Sequence, residues 1–246
     1  MADPCLLSDK PIPPRERLIF ALDVPGPDAA RAMVGRLGDA VSFYKIGLQL
    51  FMSGGYFELI HSLTAQGKRV FVDLKFFDVP ETVRLAVRAL RDRGGADFCT
   101  VHGNDGILKA AAAEKGDMKI LAVTALTSLD RGDLNDLGFS CDVGALVLSR
   151  ARRALEHGCD GVISSGLEAR MLRTELGSRL LVVTPGIRPV DNTTRPADDQ
   201  KRTMDVDEAF RAGADHIVVG RPIRDALDPR AAALAMQAQI RAIFGA

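Results

Sequence analysis

The chain is predicted to fold as one α/β domain, a single (β/α)8 TIM barrel, and three observations in its 246 residues lead there. Eight short runs rich in β-branched and apolar residues alternate with longer helical patterns from one end to the other. Gly-x-Asp triplets recur just ahead of strands, at Gly95-Ala96-Asp97, Gly158-Cys159-Asp160 and Gly213-Ala214-Asp215. Charged residues gather at the C-terminal ends of the early strands, where a barrel of this type places its chemistry.

Taken in order, LIFALD (18–23) is the first strand, followed by a helical pattern at 27–37. VSFYKI (41–46) leads to a helix at 56–65, and RVFVDLK (69–75) to one at 80–93 that opens on Pro80. DFCTVH (97–102) and the helix 105–115 come next, then KILAVT (119–124) and the helix 143–157. DGVISS (160–165), RLLVVT (179–184) and DHIVVG (215–220) complete the strands, with helices at 167–176, 206–212 and 229–243. In each triplet the Gly ends a helix and the Asp leads into the next strand. Residues 1–14, polar and Pro-rich, form a tail or a strap across the barrel bottom, and residues 15–246 form the catalytic barrel. Two loops are long: 125–141 after the fifth strand and 185–204 after the seventh. The second has few apolar residues and many turn formers, which implies a disordered segment or a substrate lid.

Thirty-two basic and 32 acidic residues cancel, so no global field recruits nucleic acid or an anionic membrane, and the expected partner is a small molecule. Residues 1–17 lack a secretory apolar region and no apolar run approaches the roughly 18 residues of a span, so a cytoplasmic protein is expected. The four cysteines, Cys5, Cys99, Cys141 and Cys159, form no CxxC pair and have no His at zinc-finger spacing, and they read as reduced structural thiols.

The third strand ends in VDLKFFDVP (72–80), two carboxylates and a lysine within six positions. Side chains alternate along a strand, so Val70, Val72 and Leu74 suit the helix-facing layer while Asp73 and Lys75 face the barrel axis. Lys45 shares a face with Phe43 at the matching level of the second strand. One such pair could be a surface ion pair contributing at most about 1 kcal/mol. Asp23, Lys45, Asp73, Lys75 and Asp78 at successive strand ends instead describe a pocket, because buried charges persist only when paired in alternation or put to use.

A second constellation is suited to phosphate. Val219-Gly220-Arg221-Pro222-Ile223 ends the eighth strand with a glycine that admits a ligand to the backbone, an arginine, and a proline fit for the first turn of a short helix. With Pro185-Gly186-Ile187-Arg188 after the seventh strand, it matches the phosphate site that barrels build from their last two loops. His102 reads as a packing or hydrogen-bonding residue, because His61, His157 and His216 fall on helices or at a strand start and assemble no metal site with it. Thr127-Ser128 has no neighbouring base and suits hydrogen bonding to a ligand rather than nucleophilic attack.

At DLKFFDVPET (73–82) the sequence closely resembles the orotidine 5'-monophosphate decarboxylase family, whose hallmark is Asp-x-Lys-x-x-Asp on the third strand. The likeness extends over the chain after residue 15: ALD with Asp23, YKIG with Lys45, LTS with Thr127, PGIR with Arg188, Gln200, and VVGRPI with Gly220-Arg221. The resemblance implies release of carbon dioxide from orotidine 5'-monophosphate to give UMP, the last step of de novo pyrimidine biosynthesis, without metal or organic cofactor. It implies that Lys75 protonates the carbon left behind, that Asp73 lies against the departing carboxylate, and that Lys45 and Asp78 complete an alternating array. It places Asp23 and Lys45 on ribose hydroxyls, Thr127 and Gln200 on the pyrimidine edge, and Arg188, Gln200, Gly220 and Arg221 around the phosphate, with Thr82 also binding substrate. It further implies a homodimer in which Asp78 enters the partner's site. Two alternatives stand beside it: a Mg2+-dependent sugar-phosphate decarboxylase of the same superfamily, which resembles the chain less at Lys45, and an inactive phosphate-binding barrel.

Overall fold

Eight parallel strands close on themselves in chain order, β1 (Leu18–Ala21), β2 (Phe43–Gly47), β3 (Arg69–Phe76), β4 (Phe98–His102), β5 (Lys119–Val123), β6 (Gly161–Ile163), β7 (Leu181–Thr184) and β8 (His216–Val219). The structure is a computed structural model and describes residues 6–188 and 204–245. Around the strands run α1 (Pro27–Leu37), α2 (Leu48–Met52), α3 (Tyr56–Ala65), α4 (Pro80–Arg93), α5 (Asp105–Glu114), α6 (Arg131–Asp136), α7 (Val143–Glu156), α8 (Gly166–Leu176), α9 (Val206–Arg211), α10 (Arg221–Arg224) and α11 (Pro229–Phe244). Every expected strand and long helix is present, with ends shifted by a residue or two. Two short helices went unforeseen, α2 and α6, each burying one residue, Leu50 and Leu134, which is too little to write a periodic pattern. No described helix is long and apolar enough to cross a membrane.

Alternation along the strands divides the core in two. Ile19, Ala21, Phe43, Phe71, Phe98, Leu121, Val183 and Val218 fill the barrel interior. Their neighbours, among them Leu18, Phe20, Tyr44, Val70, Val72, Cys99 and Val219, face outward against helix residues such as Met33, Leu59, Val87 and Ile240. Helix starts follow local chemistry. Pro27, Pro80 and Pro229 occupy first-turn positions, where their missing N–H costs nothing. Asp142 caps α7 by accepting from Ala145 N, and Asp205 forms a capping box with Glu208.

The three Gly-x-Asp triplets share one physical job at the barrel bottom. Gly95, Gly158 and Gly213 have φ of 87°, 82° and 104°, a backbone region that favours glycine as the chain leaves a helix. Each Asp N–H then donates to a carbonyl on the preceding strand, and its carboxylate accepts the N–H of that same strand residue. The pairs are Asp97 with Val70, Asp160 with Ile120 and Asp215 with Val182. The carboxylates are neutralised by Arg69, by Lys115 and Lys119, and by Lys10 and Arg173 respectively.

Asp215 is fully buried, and it also ties down the segment before β1. Ser8 and Lys10 both bond its carboxylate, Lys10 Nζ reaches Leu180 O at 3.1 Å, and Leu6 N donates to Arg211 O at 3.0 Å. Residues 6–13 therefore lie across the barrel bottom. Burial opposes ionisation of Asp215, but Arg173 and Lys10 outweigh it and hold the carboxyl below the ordinary carboxylate range. Asp215→Ala strips the partner from two largely buried cations, and urea unfolding is expected to show a loss of about 3–5 kcal/mol. A loss under about 1 kcal/mol would show that the strap and this ion cluster are dispensable.

Candidate active site

The C-terminal ends of the strands surround a cavity of about 520 Å³, of a size that suits a nucleotide-sized ligand. Asp23, Lys45, Asp73 and Lys75 line one side of it. Thr127 comes from the loop after β5, Gly186 and Arg188 from the segment after β7, and Gly220, Arg221 and Arg224 from the end of β8 and α10.

The charges alternate in a continuous chain. Lys45 Nζ lies 3.2 Å from Asp23 Oδ1 and 3.4 Å from Asp73 Oδ2, and Lys75 Nζ lies 2.9 Å from Asp73 Oδ1. Gly47 at the end of β2 borders this cluster, and a Cβ there would meet it only in ordinary contact, 3.4 Å from Lys45 Nζ and 3.7 Å from Asp23 Oδ1. Burial alone would push the Asp73 carboxyl up. The neighbouring Lys45 and Lys75 ammoniums, with hydrogen bonds from Lys75 and Thr100, outweigh burial and hold it below its ordinary range. Lys45 is the mirror case: burial disfavours its charge, but Asp73 and Asp23 overcome that and raise its pKa. Asp73 and Lys45 are thus both held ionised although largely buried, and fixed charges in such a setting act strongly on a ligand.

β3 reaches this geometry by departing from regular pairing. The pairs Val72↔Cys99 and Phe76↔Val101 leave two surplus residues on β3, a bulge spanning the charged stretch. Within it Lys75 takes φ of 49°, the one positive-φ residue other than glycine among those described. That conformation costs about 1–2 kcal/mol for an L-residue and turns the side chain over the pocket beside Asp73. The expected inward facing of Asp73 and Lys75 holds, although at Lys75 the backbone is kinked rather than extended.

At the other end of the cavity Gly220 precedes α10, with Arg221 and Pro222 in its first turn as the sequence suggested. Gly186 has φ of 81°, and Arg188 N donates to Met204 O at 2.9 Å while Met204 N returns to Gly186 O at 3.3 Å. The two ends flanking 189–203 are therefore held together at the cavity mouth. Gln200 lies outside the described residues.

Two expected site residues are not brought to this cavity. Asp78 is exposed beyond β3, where its carboxylate accepts from Val79 N at 2.6 Å, and Thr82 is exposed on the first turn of α4. His102 packs its ring against Phe77, with centroids 4.5 Å apart, and burial together with Arg150 and Lys75 lowers its pKa, so it carries no charge at neutral pH. Cys99 and Cys159 are buried free thiols, the latter pushed up to about 12 by desolvation, while Cys141 is half-buried. Cys5 falls outside the described residues.

Sequence reasoning missed three contributors. Arg224 lines the cavity and holds Asp23 O at 3.0 Å; its spacing of three from Arg221 on one helix was the available signal. Ala125, Leu126, Ile163 and Val218 add an apolar wall, invisible to a reading confined to charged strand ends. Thr100 Oγ1 sits 2.9 Å from Asp73 Oδ1; it is a polar residue at the inward parity of β4, two positions after the core residue Phe98.

The model of the Orotidine 5'-phosphate decarboxylase / HUMPS family matches residues 16–236. The chain is 67% identical over 243 residues to an orotidine 5'-phosphate decarboxylase of Methylococcus capsulatus, covering 99% of each. It is 53% identical to that of Xanthomonas campestris pv. campestris, covering 94% of this chain and 95% of the relative. Among solved structures, an orotidine 5'-phosphate decarboxylase from Lactobacillus acidophilus superposes with a TM-score of 0.80 at 35% identity, over 92% of this chain and 99% of that one.

The electrostatics of the array make a measurable prediction. Asp73 ionises below its ordinary value of 3.8, so its contribution to stability is fully present above that value and is lost as pH falls through the lower, folded-state one. A carboxyl 13C titration is expected to place Asp73 below 3.8, and Lys45→Met to move its midpoint upward, because burial then faces one cation instead of two. A midpoint at or above 3.8 in the unaltered chain would contradict this electrostatic account.

Proposed function

The chain belongs to the orotidine 5'-phosphate decarboxylase / HUMPS family, and on that premise we propose that it converts orotidine 5'-monophosphate to UMP and carbon dioxide in pyrimidine biosynthesis. The observation that carries this reading is the alternating Asp23–Lys45–Asp73–Lys75 chain of carboxylates and amines along one wall of the cavity.

The step breaks one bond. The electron pair joining the ring carbon to the carboxylate stays on the ring carbon, neutral carbon dioxide departs, and Lys75 delivers a proton to that pair, to be reprotonated later from water. An ammonium fixed beside the carbon stabilises the developing negative charge far better than a mobile one in water, because its orientation is already set before reaction. Asp73, held ionised, faces the substrate carboxylate with like charge, and this repulsion is relieved as carbon dioxide leaves. Lys45 keeps Asp73 charged and, with Asp23, is suited to the ribose hydroxyls. Thr127 is suited to the pyrimidine edge, with the Ala125–Leu126–Ile163–Val218 wall against its plane, and Gly220, Arg221 and Arg188 to the phosphate. Gln200 is assigned by the family resemblance alone. Binding far from the reacting carbon can in this way be converted into rate.

The Mg2+-dependent alternative is disfavoured by Lys45, whose ammonium stands between Asp23 and Asp73 where a divalent cation would need acidic ligands. We also place the protein in the cytoplasm, which suits a phosphorylated substrate and buried free thiols.

A homodimer is part of this proposal. Asp78 stands between Phe77 and Val79, which are 65% and 63% exposed, and Leu85 on α4 is 48% exposed, an apolar border suited to a second copy. In that arrangement Asp78 and Thr82 complete the partner's site, which accounts for their absence from their own.

Spectrophotometric assay with orotidine 5'-monophosphate tests the activity: turnover is expected to survive EDTA and to disappear in Lys75→Ala while UMP still binds. Near-normal turnover in that variant would remove Lys75 from the mechanism, and loss of wild-type activity in EDTA would favour the metal-dependent alternative. Mixing Lys75→Ala chains with Asp78→Ala chains tests the shared site. Random exchange makes about half the dimers mixed, each with one intact site of two, so about a quarter of wild-type activity should return. If mixing restores nothing, Asp78 does not act across subunits.

A further inference from the structure

We propose that Thr100 is a positioning residue for the decarboxylation: its hydroxyl binds the Asp73 carboxylate to the backbone of Lys75 and so fixes the proton donor relative to the charge that opposes the substrate. The inference rests on the functional reading above.

Thr100 sits on the inward face of β4 and is fully buried. Its Oγ1 lies 2.9 Å from Asp73 Oδ1 and 3.0 Å from Lys75 N. The direction of both bonds is forced. A peptide N–H can only donate, so the hydroxyl accepts from Lys75; an ionised carboxylate can only accept, so the single hydroxyl proton goes to Asp73. Lys75 Nζ reaches the same Asp73 Oδ1 at 2.9 Å. The three bonds close a ring that runs from hydroxyl to carboxylate to ammonium, then back along the Lys75 side chain to its own N–H.

This ring solves a problem that the bulge creates. Between Val72↔Cys99 and Phe76↔Val101 the regular β3–β4 pairing lapses, and Lys75 turns to φ of 49°. Its N–H would be lost inside the barrel without an acceptor, and Thr100 supplies a side-chain oxygen in place of a strand carbonyl. The same oxygen orients Asp73, so the backbone kink that aims Lys75 and the carboxylate that pairs with it share one anchor. A hydroxyl is required for this; the methyl of Thr100 is not.

That distinction gives the test. Thr100→Val keeps the shape and the strand-favouring branch but removes the hydroxyl, whereas Thr100→Ser keeps the hydroxyl and removes the methyl. Decarboxylation kinetics and UMP affinity by calorimetry would be measured on both, with Thr100→Ala for comparison. Thr100→Val is expected to lower kcat about ten- to a hundredfold while UMP affinity changes by less than about threefold, and Thr100→Ser to keep kcat within about threefold of wild type. A residue that only packs would reverse the order, with Val the milder change and Ser the worse. If Thr100→Val does not fold, Ser against Ala carries the comparison. Wild-type kcat in Thr100→Val, or equal losses in Ser and Ala, would overturn the inference alone. A wild-type chain inactive on orotidine 5'-monophosphate would overturn the functional reading and this inference with it.

Discussion

The site depends on one constraint: the buried carboxylate of Asp73 must stay ionised. Burial works against its charge, and two lysines from adjacent strands, with a hydroxyl from a third, reverse the balance. Remove either lysine and burial of the carboxylate faces one cation instead of two. The parallel arrangement of β2, β3 and β4 is therefore more than a scaffold. It brings Lys45, registered against Phe71 two residues below Asp73, and Thr100 within reach of the Asp73 carboxylate although they are far apart in the chain, and a single register slip would turn the strand-borne groups outward.

The two ends of the barrel use carboxylates differently. At the bottom, Asp97, Asp160 and Asp215 accept a peptide N–H from the preceding strand and meet at least one cation. Asp215, the most enclosed, is saturated by Arg173, Lys10, Ser8 and Val182 N, with no open face for a ligand. At the top, Asp73 meets lysines that line a cavity, and the Lys75 side chain keeps about a third of its surface exposed. The same chemical group is closed off by its partners in one place and opens onto a cavity in the other, and the difference lies in what surrounds it.

Backbone strain follows the same division. Positive φ elsewhere among the described residues falls on glycines, the helix-ending ones of the triplets included, where it carries no steric penalty. At Lys75 it falls on a residue whose side chain lines the cavity, and is held by the Thr100 hydroxyl. The strand thus stops being a regular core element at the point where it reaches the cavity.

Much of this was written in the chain. Period-two alternation placed Val70 and Val72 outward and Asp73 and Lys75 inward, and proline, glycine and aspartate marked helix ends, because these signals act through neighbours in sequence. Gly220-Arg221-Pro222 announced its short helix for the same reason. The bulge at Lys75, the partnership of Thr100 with Asp73, the grip of Arg224 on Asp23 O and the shared role of the three Gly-x-Asp aspartates were decided by tertiary structure. Each depends on which residues stand opposite one another when the barrel closes, between positions as far apart as Asp23 and Arg224. Local propensity can say which way a side chain points, but only closure of the strands says what it meets.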